Sequence, residues 1–327
     1  MTKRLLKRLK EIVCEKGIKG YLLHIKWCLY NKPFIDEIWY LLNYYLHPLR
    51  KVLKNVQGSK MLLDLSDSGI NRDLFLFGCR EPESTKIFKT ELREGSKIAE
   101  IGANIGYYVL IESQIVGNTG RIYAIEPAPQ NFARLKENIK INSYPIDITL
   151  YNTALSDKKG KARFSIATTC NNCRLFLPGV DDGKSVEVTT NIFDELFFDK
   201  EIDVIRMDSE GGEWLIIKGM ECIFRSRKPL KMFIEVHPML IEEYGGNIEE
   251  FLSILANAGF ELKYLVVWEP LSHFIIPYIK GRTAREQSIE YNMPLRDLLE
   301  DETERENLCC KSGHKYEAGY KMFLNRE

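Results

Sequence analysis

The chain has 327 residues, 45% of them hydrophobic and 28% charged, a balance that fits a folded globular protein and excludes a disordered or fibrous one. No stretch reaches the roughly 20 uncharged apolar residues of a membrane-spanning helix. Lys7, Arg8 and Lys10 interrupt the leucines at positions 5, 6 and 9 before a secretory signal can form, so the chain is expected in the cytoplasm. Lys/Arg and Asp/Glu balance at 46 each, yet residues 1–60 hold thirteen of the basic residues and only four of the acids. A basic arm on an acidic body selects an anionic surface as partner.

Residues 1–59 read as a helical, aromatic-rich extension. Leu5, Leu6, Leu9, Ile12 and Val13 recur at helical spacing, and Trp39, Tyr40, Tyr44 and Tyr45 crowd a second helical segment at 35–46. Gly58 marks the boundary with a domain at 60–327. Strands are predicted at 61–65, 97–103, 121–126, 146–151, 161–166, 186–189, 203–207, 231–236, 261–267 and 320–324. Helices are predicted at 84–92, 105–116, 129–142, 212–224 and 248–258, with Asn191 capping a further short one. Residues 268–317 read as a polar insertion before the last strand. Alternating strands and helices require right-handed crossovers and a mainly parallel sheet covered on both faces, an α/β fold. The stretches at 98–101, 122–125 and 204–205 are nearly continuous apolar runs, as buried parallel strands should be.

From the first of these strands the chain enters a helix through Glu100-Ile-Gly102-Ala-Asn104-Ile-Gly106. Glycines there allow the turn and a close approach to the backbone, and the helix start offers N–H groups to a ligand. Glu126 ends the second strand, where doubly wound folds place an acid on ribose hydroxyls. A dinucleotide site wants three glycines as G-x-G-x-x-G. The spacing here is G-x-x-x-G, and Glu100 would repel a pyrophosphate while suiting the cationic aminoacyl end of S-adenosylmethionine. Asp208 leaves the fourth strand beside the same cleft, followed by Glu210, and Glu235 and His237 leave the fifth. Asp208, Glu235 and His237 are therefore candidate catalytic groups. Asp208, Glu210 and Glu235 are candidate oxygen ligands for a divalent cation such as Mg²⁺.

These strings, with Ala124-Ile-Glu-Pro, Arg206-Met-Asp-Ser-Glu-Gly-Gly-Glu-Trp and Ile234-Glu-Val-His-Pro, resemble the FkbM family of methyltransferases over roughly residues 60–267 and the final Gly319-Tyr-Lys-Met-Phe-Leu. The resemblance implies a Rossmann-like class I methyltransferase fold with seven strands, the last antiparallel. It also implies O-methylation of a hydroxyl on a sugar, a glycan or glycolipid, or a small natural product. By motif position, Gly102 and Gly106 would line the methionine end, Glu126 the ribose and Asn152 the adenine. Residues 1–59 and 268–317 lie outside it.

Two other functional classes stand against this reading, an NAD(P)-dependent oxidoreductase and a non-catalytic cofactor-binding protein. The missing third glycine speaks against the first and the retained acids against the second. Cys170, Cys173, Cys309, Cys310 and His314 could supply zinc ligands, but no second C-x-x-C is present and adjacent cysteines rarely share one ion. Residues 1–50 fit an anionic membrane. The same segment also fits packing on the catalytic domain or, as the least favoured alternative, RNA. Nucleic acid is not the expected acceptor.

Overall fold

The computed structural model describes residues 33–47, 49–67, 69–166, 173–175, 184–270, 284–301, 305, 308 and 320–326. The basic helix expected before residue 33, and Cys170, Cys309, Cys310 and His314, lie outside them. The described chain opens with a helix at Pro33–Leu46 and an antiparallel hairpin of β1 (Lys51–Val56) and β2 (Ser59–Asp64), with Gly58 in its turn. The remaining strands are β3 (Lys97–Ile101), β4 (Arg121–Ile125), β5 (Asp147–Tyr151), β6 (Ala154–Leu155), β7 (Gly160–Ser165), β8 (Arg174–Leu175), β9 (Ser185–Asn191), β10 (Val204–Met207), β11 (Leu230–Val236), β12 (Glu261–Pro270), β13 (Ala284–Pro294) and β14 (Tyr320–Arg326).

One sheet dominates, in the order β13-β12-β14-β11-β10-β3-β4-β5. Strands β5, β4, β3, β10 and β11 run parallel, and β14 lies antiparallel between β11 and β12. The expected α/β, Rossmann-like architecture and antiparallel last strand are present. Among the described residues the sheet has eight strands rather than seven, because β13 pairs antiparallel with β12 along its outer edge. Alternation along the strands sends Ala99, Ile101, Ile205 and Met207 into one core and Ile98, Ile122, Ala124 and Val204 into the other. This two-sided burial is why these strands read as largely apolar runs, with Glu100 and Arg206 as the charged exceptions.

Several local expectations need correcting. The single helix expected over 212–224 is two, Glu213–Lys218 and Glu221–Arg225. They break at Gly219, where a Cβ would lie 2.9 Å from the Ser156 carbonyl oxygen. Asn191 does not cap the next helix. Ile192 takes that place, and the Asn191 amide donates to Thr153 Oγ1 at 3.0 Å. Helices Ile70–Phe77 and Pro238–Glu243 were not expected. The two-strand excursion belongs to a separate small sheet, β6-β9-β7-β8.

Gly102 shows what holds the centre of the large sheet. It stands at φ 84° where β3 ends, and a Cβ there would lie 1.9 Å from the Asp208 carbonyl oxygen at the end of β10. Gly102→Ala should therefore lower stability by about 3 kcal/mol in urea unfolding, through overpacking and backbone strain. Gly245→Ala should cost only about 1 kcal/mol, because its φ is also positive, 72°, but nothing lies within 4 Å of the new methyl.

Candidate active site

Strand order reverses between β3 and β10, since β3 connects outward to β4 while the chain later returns on the other side. Open α/β sheets bind ligands in the crevice outside such a reversal. Here a cleft of about 860 Å³, open solvent included, lies at that point. Glu100, Gly102, Asn104, Glu126, Asp208 and Glu210 line it, so the structure brings together most of the residues singled out from the sequence. The small sheet supplies the facing wall through Phe164 of β7 and Leu175 of β8.

The glycine loop is saturated with internal hydrogen bonds. The amides of Gly102 and Ala103 both donate to the Ile125 carbonyl, at 3.0 and 2.9 Å, and Gly106 donates to the Ala103 carbonyl at 2.9 Å. Asn104 donates its backbone N–H to Glu126 Oε2, and Ile105 to the Asn104 side chain, each at 2.8 Å. Glu126 Oε1 accepts from the Ala128 amide at 2.8 Å. Glu126 thus ties the loop after β3 to the loop after β4. Burial pushes its carboxyl up to about 7 against the opposing pull of the Ala128 and Asn104 amides. Two expected cofactor residues stand back from the cleft lining. A Cβ on Gly106 would meet Leu135 Cδ1 at 2.8 Å, so this glycine serves helix packing. The Asn152 amide donates to the carbonyls of Glu126 and Pro127 at 2.8 and 3.1 Å, bracing the loop.

Glu100 does not offer a free charge. Its Oε1 accepts from Arg206 Nη1 at 2.7 Å, and Arg206 Nη2 reaches Asp208 at 3.3 Å. The guanidinium also lies 3.6 Å from the centroid of the Tyr108 ring, a cation–π contact. Behind Glu100 stands Glu112, fully buried. Burial and the Glu100 charge push the Glu112 carboxyl well above its ordinary range, so it keeps its proton beside Glu100. Burial likewise pushes Glu100 up to about 7, against the attraction of Arg206.

A second set of charges runs from β14 to the exits of β10 and β11. Lys321 Nζ lies 2.8 Å from Glu81 and 3.6 Å from Glu235. His237 Nε2 lies 3.7 Å from Glu235 and 3.8 Å from Glu210, and its Nδ1 lies 3.3 Å from Glu213. Burial lowers the imidazole's hold on its proton, but Glu213, Glu235 and Glu210 outweigh this and push His237 up to about 10. Burial and repulsion from Asp208, Glu235 and Glu213 push Glu210 up to about 8 despite His237. Among the described residues, ligand atoms of Asp208, Glu210 and His237 all lie within 4.8 Å of one another. Glu235 stands outside that group, so His237 takes the position expected for it. Sequence reasoning missed Arg80, Glu81, Tyr108, Glu112, Arg206 and Lys321. The visible signal for two of them was a cation inside an apolar strand, Arg206 in Val-Ile-Arg-Met and Lys321 in Tyr-Lys-Met-Phe.

A sheet that reverses beside a glycine turn, with an acid closing the next strand, is the architecture of Rossmann-like cofactor-binding folds, and a family match makes the class methyltransferase. Within that class the family is specific. Residues 100–262 match the Methyltransferase FkbM domain, so the chain carries an FkbM-family methyltransferase domain. Similarity to curated protein-L-isoaspartate O-methyltransferases is local. It reaches 40% identity over 83 residues with that of Methanosarcina mazei, 24% of this chain and 33% of the relative. With that of Ignicoccus hospitalis it is 37% over 54 residues, 16% of this chain and 26% of the relative. The match spans a third or less of these relatives' length. Among solved structures, a SAM-dependent O-methyltransferase from Thermotoga maritima aligns over 86% of each chain at 11% identity, with a TM-score of 0.40.

The buried carboxyls set a pH dependence for stability. Glu100, Glu126 and Glu235 are raised from an ordinary 4.5 to about 7, and Glu210 to about 8. The folded state therefore holds protons that the unfolded chain releases, and stability falls as pH rises from 4.5 through 7–8. His237, raised from 6.5 to about 10, adds stability that is full below 6.5 and lost as pH rises through 10. Glu81 opposes: burial raises its carboxyl, but Lys321 and Arg80 pull it below the ordinary value, so its contribution is lost as pH falls below 4.5. Cofactor-free protein should melt at a higher temperature near about pH 5 than near about pH 8 in a calorimetric scan.

Proposed function

We propose that this chain binds S-adenosylmethionine in the cleft at the carboxyl ends of β3, β4 and β10 and transfers its methyl group to a hydroxyl acceptor. The acceptor would be a sugar, a glycan or glycolipid, or a small natural product, presented in the cytoplasm or at a membrane surface. One observation carries the choice of cofactor. Every backbone N–H from Gly102 to Gly106 is already bonded within the protein, leaving none of these amides to hold a pyrophosphate. This disfavours the NAD(P) alternative, while the acids around the cleft suit a cation.

The residues present fit the donor. Glu126 and Asn131 would hold its ribose end, and Gly102 with Glu100 would flank its aminoacyl end. Among the described residues, Ser209 Oγ and Arg206 Nε are buried beside the cleft with no hydrogen-bond partner, as polar atoms awaiting a ligand would be. When bound, the sulfonium supplies an electrophilic methyl group. The protein's task is to align the acceptor oxygen, exclude water and take up the hydroxyl proton. Glu210 lines the cleft with its proton affinity near that of a base working at neutral pH. Asp208 stands beside it, held by Arg206. Glu235 and His237 act behind this pair, setting the charge that Glu210 feels.

A divalent cation is a second reading, favoured by the approach of Asp208, Glu210 and His237 within 4.8 Å. His237 would have to release its proton to bind one. Chelation followed by Mg²⁺ addition should restore turnover if the reading holds, and leave it unchanged if it does not.

Calorimetry should show binding of S-adenosylmethionine and no binding of NADH; preference for NADH would sink the assignment. Turnover should rise with pH through about 8 as Glu210 loses its proton. Glu210→Gln should remove that limb and cut turnover by about 10²–10⁴-fold. Asp208→Asn should cut turnover to a similar degree but keep the limb, moved to lower pH because a charge that raises Glu210 is gone, with donor affinity nearly kept in both. An isoaspartyl peptide methylated in preference to any hydroxyl compound would replace the acceptor class.

A further inference from the structure

Helix Pro33–Leu46 has two unlike faces. Tyr40 is buried on the inner one, where its hydroxyl donates to the Leu65 carbonyl at 2.6 Å and its ring meets Phe75 edge-on at 5.8 Å. Leu41 and Tyr44 pack into the same core. Trp39, Leu42, Tyr45 and Leu46 follow the i, i+3, i+6, i+7 spacing of the opposite face. They are 59, 47, 69 and 73% exposed. Leu49 and Leu53 prolong this run of exposed apolar residues along the chain, at 80 and 54%. The helix is therefore docked to the body by one face, and among the described residues its apolar outer face stays exposed.

We propose that this outer face seats the protein on an anionic lipid surface, with Trp39 and Tyr45 at headgroup level and Leu42, Leu46 and Leu49 entering the acyl boundary. Apolar side chains and amphipathic rings on one face, flanked by basic residues, are what interfacial helices present. The flanking charge is basic and outnumbers Asp36 and Glu37 of the helix itself. Arg50 and Lys51 are exposed immediately after the helix. Residues 1–32, which lead into it, carry nine Lys/Arg against two acids. The inference deepens the membrane-surface part of the proposed function; its apolar contacts come from residues 39–49, part of its charge from the arm before residue 33, and it does not depend on methyl transfer. The site is close to the surface so defined: Tyr40 packs on helix Ile70–Phe77, and Ile70 at its start lines the cleft. An acceptor held in the bilayer surface would thus reach the cleft from the side on which the protein docks.

The test is sedimentation of the full chain with vesicles of phosphatidylglycerol and phosphatidylcholine, and with phosphatidylcholine alone. Wild type should sediment with the anionic vesicles at low salt and be released as salt screens the charges. Trp39→Ser with Leu46→Gln and Leu49→Gln should weaken this partition by at least about tenfold, given the apolar surface removed. The same variant should keep its melting temperature and its S-adenosylmethionine affinity, which separates this idea from failure of the methyltransferase reading. Unchanged partition in the variant would overturn the proposal. So would loss of partition on deleting residues 1–16 with none in the face variant. A concentration-dependent dimer that the face variant dissolves, with no vesicle binding by wild type, would assign the face to a second copy of the chain and overturn it equally.

Discussion

Arg206 stands with 4% of its side chain exposed in the middle of a parallel sheet. A guanidinium there is tolerable only because its neighbours answer its charge. Glu100 meets it from the adjacent strand, Asp208 from the end of its own, and the Tyr108 ring from the helix packed above. Removing one partner of such a buried pair costs about 3–5 kcal/mol, because the remaining charge is stranded. The pair Arg206–Glu100 joins β10 to β3 at the point of strand reversal, so the constraint that keeps the sheet intact also defines the floor of the cleft.

From that floor the charges spread in two directions. Toward the glycine loop, Glu100 passes its demand to protonated Glu112, and Glu126 gathers the amides of Asn104 and Ala128. Toward the other end, Lys321 on the antiparallel β14 answers Glu81 and Glu235, and His237 answers Glu210, Glu213 and Glu235. Carboxyl groups outnumber cations around the cleft. Burial therefore leaves several of them near neutrality in proton affinity rather than fully ionised. That excess is the electrostatic character of the site, one that suits a positively charged donor and a base working near neutral pH.

The elements that could be read from the chain are those whose burial is two-sided or whose period is plain. Ile98–Ile101, Ile122–Ile125 and Val204–Ile205 are hydrophobic apart from Glu100 because both faces of the sheet are covered, and that pattern needs no tertiary knowledge. The helix at Pro129–Asn142 follows from a proline at its start and its period. The break at Gly219 was not legible, because it depends on the Ser156 carbonyl, distant in sequence. Strand β13 was hidden in a polar segment, since an edge strand with a solvated side needs no apolar run.

Sequence alone determined the α/β class, the FkbM resemblance and the positions of the acids at strand ends, because these rest on local periodicity and on short motifs. Only the tertiary structure decided what those residues do. It turned Glu100 toward Arg206, assigned Gly106 to packing against Leu135, set His237 rather than Glu235 beside Asp208 and Glu210, and left one face of helix Pro33–Leu46 uncovered. The reason is common to all four. A side chain's charge state and partners depend on groups brought close by the fold from far along the chain, and no spacing in the sequence encodes those distances.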